Sequence, residues 1–150
     1  MGAFLQRLAT RLHLGPLPDA LRAQLESEGR ILYLAECVRE TAIFRDFRAP
    51  GVYSSHRRVS SIGYFALSER RMVARAKCYH EIDVNAVYDD ALFKGMTFTV
   101  GPNWLSIAFD ASAQSPQASG QIEVRLHLSD VAAAAKIIEQ AGARIVPNGS

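Results

Sequence analysis

The sequence predicts a mainly β domain with helices near its two ends, and three observations support this fold class. Apolar and polar residues alternate with a period of two through most of the chain after Arg30, which is typical of strands with one buried face. Residues 62–75 place two apolar runs around the polar corner Ser68-Glu69-Arg70, which indicates an antiparallel hairpin. Helical spacing of leucine and alanine is confined to the two ends of the chain.

Length and composition are those of one globular domain. The chain has 150 residues, of which 49% are hydrophobic and 21% are charged, so it can build a core. No apolar run reaches the roughly 18 residues that a membrane span needs, and Arg7 and Arg11 interrupt the N-terminal apolar residues. We expect a cytoplasmic protein, with peripheral membrane attachment as an alternative. Arginine exceeds lysine by 14 to 3, which suits a bacterial protein encoded by a GC-rich genome.

The two cysteines are expected to be reduced, buried thiols. Cys37 and Cys78 stand in apolar surroundings on separate predicted strands. A single disulfide is unnecessary in a chain of this size, and cytosolic proteins keep their thiols reduced.

Residues 1–28 are expected to form a helical N-terminal extension. Apolar residues recur at helical spacing in the first half, at Phe4, Leu5, Leu8 and Leu12, and Gly15-Pro16 interrupts this pattern. A second short helix is expected to begin at Pro18-Asp19 and to run to Gly29. The first helix has the composition to dock on its own domain or on a second copy of the chain, so it is a candidate for homo-oligomerisation; adhesion to a membrane surface is the alternative.

The central part of the chain predicts a series of strands, with residues 29–146 as one domain. We expect strands at 31–38, 62–67, 71–79, 81–88, 96–100, 105–109 and 122–128. Residues 41–47 either continue the first strand or pair with it, and 52–60 fits a loop or an edge strand. The last of these strands alternates strictly, which indicates one buried face and one exposed face.

One helix is expected near the C-terminus. Ser129-Asp130 supplies a capping hydroxyl and a carboxylate, and Gly142 ends the pattern. The helix has a single apolar stripe, made by Val131, Ala134, Ala135, Ile138 and Ala141. Residues 143–146 have the composition of a last strand, and residues 147–150 are expected to be a disordered tail.

No catalytic, cofactor or metal site is predicted, and no cofactor is expected. Ser68 lacks the flanking glycines of a nucleophile elbow. The nearest polar constellation is His80, Glu81 and Asp83, but in a strand His80 points away from the two carboxylates. We therefore interpret these three residues as part of a solvated strand and expect the protein not to be an enzyme.

The distribution of charge suggests a binding face. Residues 39–77 contain nine basic and three acidic residues, a net charge of +6, so the rest of the chain sums to −4. Such a segment can meet a protein partner or an anionic lipid surface, and nucleic acid is the less favoured partner. The candidate residues for binding an anionic partner are Arg57, Arg58, Arg70, Arg71, Arg75 and Lys77. The alternative is an ordinary exposed sheet surface. Trp104 is expected to be a cross-strand partner on the outer face, with an exposed contact residue as the alternative.

Two short segments resemble a known family. Residues 64–75 read Tyr-Phe-Ala-Leu-Ser-Glu-Arg-Arg-Met-Val-Ala-Arg, and residues 28–32 read Glu-Gly-Arg-Ile-Leu. Both are similar to the bacterial pleckstrin-homology-like (PH-like and GRAM-like) families. The resemblance implies a bent antiparallel barrel of about seven strands closed by a C-terminal helix. A competing fold is an α+β sandwich in which residues 143–146 join the sheet.

The resemblance implies a non-catalytic PH-like interaction domain that binds a protein or an anionic membrane through a basic face. It carries over no lipid-binding residue. Two other functions stay open: a small-ligand-binding β-barrel with a cavity lined by Tyr33, Tyr64 and Phe98, and an enzyme with an unrecognised polar cleft.

Overall fold

The computed structural model of the protein describes residues 15–76 and 82–147. This part of the chain forms one sheet of eight strands with three α-helices, so the prediction of a mainly β chain with helices is confirmed. The elements in chain order are α1 (Asp19–Glu28), β1 (Ile31–Ala49), β2 (Val52–Ser68), β3 (Arg71–Ala76), β4 (Ile82–Val87), α2 (Ala91–Lys94), β5 (Thr97–Val100), β6 (Trp104–Asp110), a 3-10 turn (Ala111–Ala113), β7 (Ser119–His127), α3 (Val131–Gln140) and β8 (Ile145–Pro147).

The sheet is open, with the strand order β4-β3-β2-β1-β7-β6-β5-β8. Neighbouring strands are antiparallel except β5 and β8, which are parallel. A closed barrel of about seven strands was expected, whereas this sheet has eight strands and ends at β4 and β8. The last strand is β8, which pairs Ile145 with Phe98 and Pro147 with Val100. A strand after the C-terminal helix therefore joins the sheet at 145–147 rather than 143–146, and Pro147, expected in the disordered tail, belongs to it.

The longest elements are β1, with 19 residues, and β2, with 17 residues. The sequence pattern left open whether residues 41–47 continue the first strand, and polar residues obscured the first half of β2. The structure shows that 31–49 is one strand, which carries two bulges. Cys37 and Asp46 have φ values of 54° and 48°, and the register shifts beside each of them. Cys37 is half-buried at its bulge, not buried as predicted. Within β2, only Gly63–Leu67 pairs with β3. In the described part of the chain, residues 52–62 of β2 therefore pair with β1 alone.

The main core covers one face of the sheet. Fully buried rings of Phe44, Phe65 and Phe98 belong to one contiguous cluster that includes side chains from β1 to β7 and from α2 and α3. Since β4 and β6, on opposite sides of β1, contribute to the same cluster, the sheet bends around its core. Helix α3 packs into this cluster through Ala134 and Ile138.

A smaller cluster lies on the opposite face, where α1 packs on β2 and β3. Leu25 is fully buried there against Tyr64 and Val73. The end of α1 is held by a bidentate ion pair in which Arg71 donates to Glu28 over 2.8 Å from Nε and 2.5 Å from Nη2. The short helix predicted between Pro18 and Gly29 is therefore present and anchored to the sheet.

A predicted turn and a predicted helix start are both confirmed. The Ser68 hydroxyl accepts hydrogen bonds from the backbone N–H groups of Arg70 and Arg71 at 3.2 and 3.1 Å. At the start of α3, the Asp130 carboxylate accepts from the N–H of Ala133 at 3.2 Å. Gly142 follows this helix with a φ of 104°, a conformation that glycine adopts without strain.

Candidate functional site

The candidate site is the outer face of the sheet, which we define as the face of β2, β1, β7 and β6 opposite the main core. The register aligns its side chains in four rows across these strands. Each row is given in the strand order β2, β1, β7, β6. The first row is Ile62, Arg39, His127 and Trp104, and the second is Ser60, Thr41, Arg125 and Ser106. The third row is Arg58, Ile43, Glu123 and Ala108, and the fourth is His56, Arg45, Gln121 and Asp110. The centre of this surface is therefore built by strands that are distant in the sequence.

Three arginines of the outer face act electrostatically on His127. Burial lowers the pKa of His127, and the positive charges of Arg39, Arg125 and Arg58 lower it further. These three guanidinium groups come from β1, β7 and β2, and we call them the arginine cluster. Because their charges act together on one imidazole, the cluster is a single region of positive potential, and His127 stays neutral within it near neutral pH.

Glu123 holds one side of the arginine cluster in place. Its carboxylate accepts hydrogen bonds from Ser106 Oγ at 2.7 Å, Arg125 Nε at 2.8 Å and Arg45 Nη1 at 2.9 Å. Burial alone would raise the pKa of Glu123, but these three hydrogen bonds outweigh it and lower the pKa, so the carboxylate is ionised. Arg125 is consequently fixed, with its guanidinium 4.9 Å from the centre of the Trp104 ring.

Trp104 lies where the sequence predicted it, on the outer face in cross-strand register with His127. It is half-buried beneath the Arg125 guanidinium, which is the geometry of a cation–π contact. An aromatic ring beneath a guanidinium group is typical of recognition surfaces, which are enriched in tryptophan and arginine.

The remaining arginines of the cluster are exposed. Arg39 and Arg58 make no ion pair with any carboxylate in the part of the chain that the structure describes. Guanidinium groups donate in a planar fork that matches carboxylate and phosphate oxygens. The outer face can therefore bind an anionic group between Arg39 and Arg58 while Arg125 stays engaged with Glu123.

Of the six predicted binding residues, the five that the structure describes are not brought together. Arg58 belongs to the arginine cluster, whereas Arg57 lies opposite Phe44 on the other face of β2. Arg70 is exposed in the β2–β3 turn, ten or more residues along the strand from Arg58, which corresponds to roughly 30 Å of extended chain. Arg71 is engaged with Glu28, and Asn85 Oδ1 accepts a further hydrogen bond from it at 2.9 Å.

Two further predicted residues lie elsewhere. Arg75 is half-buried in β3, opposite Asp83 of β4. Lys77, Cys78, His80 and Glu81 lie outside the described residues, so Asp83, which is exposed, is the one member of the predicted polar constellation that can be placed.

The aromatic residues proposed to line a ligand cavity are separated. Phe98 is in the main core, while Tyr64 packs in the smaller cluster under α1. Tyr33 packs at the edge of the main core, with its ring 5.9 Å from that of Phe65. The three rings therefore do not face a common space.

Sequence reasoning missed Arg125 and His127 as site residues and counted Arg39 only in the charge balance. The alternation of residues 121–128 had already assigned Arg125 and His127 to an exposed face. The missing information was the pairing of β7 with β1, which places them beside Arg39.

Within the residues that the structure describes, neither a membrane-spanning helix nor a metal-binding group adds to this site. In residues 15–76 and 82–147 there is neither a helix long and apolar enough to span a membrane nor a group of three or more His, Cys, Asp or Glu residues suited to a metal ion. No family model, curated protein or solved structure shows a significant match to this chain.

Proposed function

We propose that the protein is a non-catalytic interaction domain that binds an acidic segment of a protein partner across its outer face. The observation that carries this proposal is the convergence of Arg39, Arg58 and Arg125 on His127, beside the ring of Trp104. Two of the three guanidinium groups are exposed and lack a carboxylate partner among the described residues. Carboxylates of Asp and Glu side chains are the protein groups that such a surface binds.

The position of the arginine cluster favours a protein partner over a lipid surface. It lies in the middle of three strands, whereas domains that insert into membranes present apolar side chains beside their basic residues. The exposed large apolar side chains in the described segments are Leu32, Tyr53 and Val146, and none of them belongs to the four rows of the outer face. An extended acidic segment, by contrast, can follow the rows across neighbouring strands.

We also propose the PH-like architecture as the fold family, and a bacterial cytosol as the compartment. The succession of antiparallel strands followed by one helix packed into the core supports the fold proposal. The eighth strand and the open edges are differences from the barrel that the resemblance implies. The compartment rests on the arginine excess and on the two cysteines alone.

Binding of a defined acidic probe tests the proposed function. The probe is a fluorescently labelled peptide of alternating Glu and Ser residues, and the signals are its polarisation and the fluorescence of Trp104, the single tryptophan of the chain. We expect binding that weakens with added salt and falls at least about tenfold in the double variant R39Q/R58Q. The matched control is R70Q/R144Q, which removes the same charge from two exposed positions outside the outer face.

The outcomes separate the partner classes. Equal loss in R39Q/R58Q and R70Q/R144Q would show that net charge alone governs binding and would refute an assigned site. Vesicles of phosphatidylcholine with phosphatidylserine serve as the second probe. Binding to the vesicles without binding to the peptide would replace the protein partner by an anionic lipid surface.

A further inference from the structure

A cavity of about 450 Å³ lies at the β8 edge of the sheet, and residues of the segments 88–97 and 141–146 line it. These segments include α2, the start of β5 and the chain that joins α3 to β8. Among the described residues that line the cavity, none belongs to the four rows of the outer face, so the cavity is separate from the arginine cluster. Its volume lies within the range of roughly 300–1,000 Å³ that is typical of small-molecule sites.

Apolar and aromatic residues form the buried part of this cavity. Phe93 is buried and Tyr88 is half-buried, and their rings meet edge to face with centroids 4.9 Å apart. The centroid of the Phe93 ring also lies 5.5 Å from that of Phe98 in the main core. The Tyr88 hydroxyl donates a hydrogen bond to the carbonyl oxygen of Ser68 at 2.7 Å, which fixes the position of this ring. Together with buried Met96, the two rings offer a fixed surface on which an aromatic ligand packs favourably.

Three charged side chains line the same cavity, namely Asp89, Lys94 and Arg144. All three are exposed, and none of them forms an ion pair with another residue in the part of the chain that the structure describes. Ammonium and guanidinium groups bind a carboxylate through charge-assisted hydrogen bonds, and a carboxylate binds an ammonium group in the same way. A ligand that pairs with all three side chains therefore carries both an acid and an amine.

We propose that this cavity binds a free α-amino acid with an aromatic side chain. The ring of the ligand packs on Tyr88 and Phe93, its carboxylate pairs with Lys94 and Arg144, and its ammonium group pairs with Asp89. An aromatic acid without an amine would place an anion near an unpaired Asp89, and an aromatic amine without an acid would leave both cations unpaired. The Glu and Ser peptide that probes the outer face has no aromatic ring, so it is not a ligand of this cavity.

Isothermal titration calorimetry of the full chain tests the site with four small probes. L-phenylalanine carries all three groups, 3-phenylpropionate lacks the amine, phenethylamine lacks the carboxylate, and L-alanine lacks the ring. We expect L-phenylalanine to bind and each of the other three to bind at least about tenfold more weakly, because each leaves one part of the cavity without its partner. Saturation transfer from the protein to the protons of each probe, measured by nuclear magnetic resonance, detects the weaker complexes.

Two substitutions assign the charged groups of the ligand to residues. K94Q should weaken binding of L-phenylalanine and 3-phenylpropionate without weakening phenethylamine, whereas D89N should weaken L-phenylalanine and phenethylamine without weakening 3-phenylpropionate. The matched controls are K136Q and E139Q, which remove the same charges from exposed positions of α3 that do not line the cavity. Both controls should bind L-phenylalanine as the native chain does.

Three results would overturn the proposal. The first is the absence of both heat and saturation transfer with L-phenylalanine at millimolar concentration. The second is equal affinity for L-phenylalanine and 3-phenylpropionate, which would show that the amine is not recognised. The third is equal loss of affinity in K94Q and K136Q, which would show that net charge governs binding. None of these results depends on the arginine cluster, so they leave the test of the outer face independent.

Discussion

Replacing Glu40 with glutamine is expected to stabilise the protein at neutral pH. Burial raises the pKa of Glu40 from 4.5 to about 9 in the folded chain. The unfolded chain releases this proton near pH 4.5, whereas the folded chain keeps it, so folding becomes less favourable as the pH rises from 4.5 to 9 and changes no further above that. Each pH unit in this window costs about 1.4 kcal/mol, which amounts to about 3 kcal/mol at pH 7. Glutamine has no proton to release, so E40Q avoids this cost.

Urea denaturation followed by Trp104 fluorescence measures the effect. The buffers share one ionic strength, so that only the pH differs between samples. We expect the free energy of unfolding of the native chain to fall between about pH 5 and pH 8.5, while that of E40Q stays nearly constant. The gain of E40Q over the native chain should therefore increase with pH.

The control for this experiment is E26Q, which changes the same charge at an exposed position of α1. If E40Q and the native chain showed parallel pH profiles, the carboxyl group would not be held neutral by burial. A gain that was equal at every pH would point to packing of the amide instead of proton linkage.

Three other perturbations follow from particular contacts. A double-mutant cycle with E28Q and R71Q should give a coupling free energy of about 1–3 kcal/mol in urea denaturation, because the bidentate pair is largely shielded from solvent. Additive effects of the two substitutions would show that the pair does not anchor α1. The pKa of His127, followed by its imidazole resonances, should lie below the usual His range and rise in R39Q. An unchanged pKa in R39Q would remove Arg39 from the cluster. Because the folded-state pKa is lowered, the stability that neutral His127 confers is lost as the pH falls below about 6.5. Gly63→Ala should lower the free energy of unfolding by about 1–3 kcal/mol or more, because the added methyl group would overlap the carbonyl oxygen of Arg75 in β3. Circular dichroism melts measure this loss. Native-like stability would show that β2 and β3 can move apart at Gly63.

The parts of the fold that sequence could predict are those set by neighbours in the chain. Ser68 in its turn and Asp130 at the start of α3 both accept hydrogen bonds from backbone N–H groups within three residues. Such local roles can be predicted from the sequence. The strand over residues 122–128 follows from strict alternation, which needs no knowledge of its partner. The same kind of signal marked Glu40, a charged residue in phase with apolar ones, and its burial could have been predicted from that phase.

The parts that could not be predicted depend on pairing and register. The arginine cluster forms because β7 lies beside β1, and the pattern of either strand alone says nothing about this choice. The bulges at Cys37 and Asp46 shift the period within β1, and local alternation could not decide whether residues 41–47 continue the first strand or pair with it. The parallel strand β8 is short, and its position depends on where α3 packs rather than on its own residues.

The central position of β1 has a consequence for the order in which the protein folds during synthesis. Strands β1 to β4 pair in succession and can do so as they leave the ribosome. The edge of β1 that does not face β2 pairs with β7, which is synthesised much later, as the pairs Glu40–Leu126 and Arg45–Gln121 show. Until β7 emerges, that edge of the nascent sheet is unpaired. Contacts between such distant positions slow folding and leave partly folded chains exposed to association. A chain that stalls before residue 119 would therefore lack the strand that completes its centre.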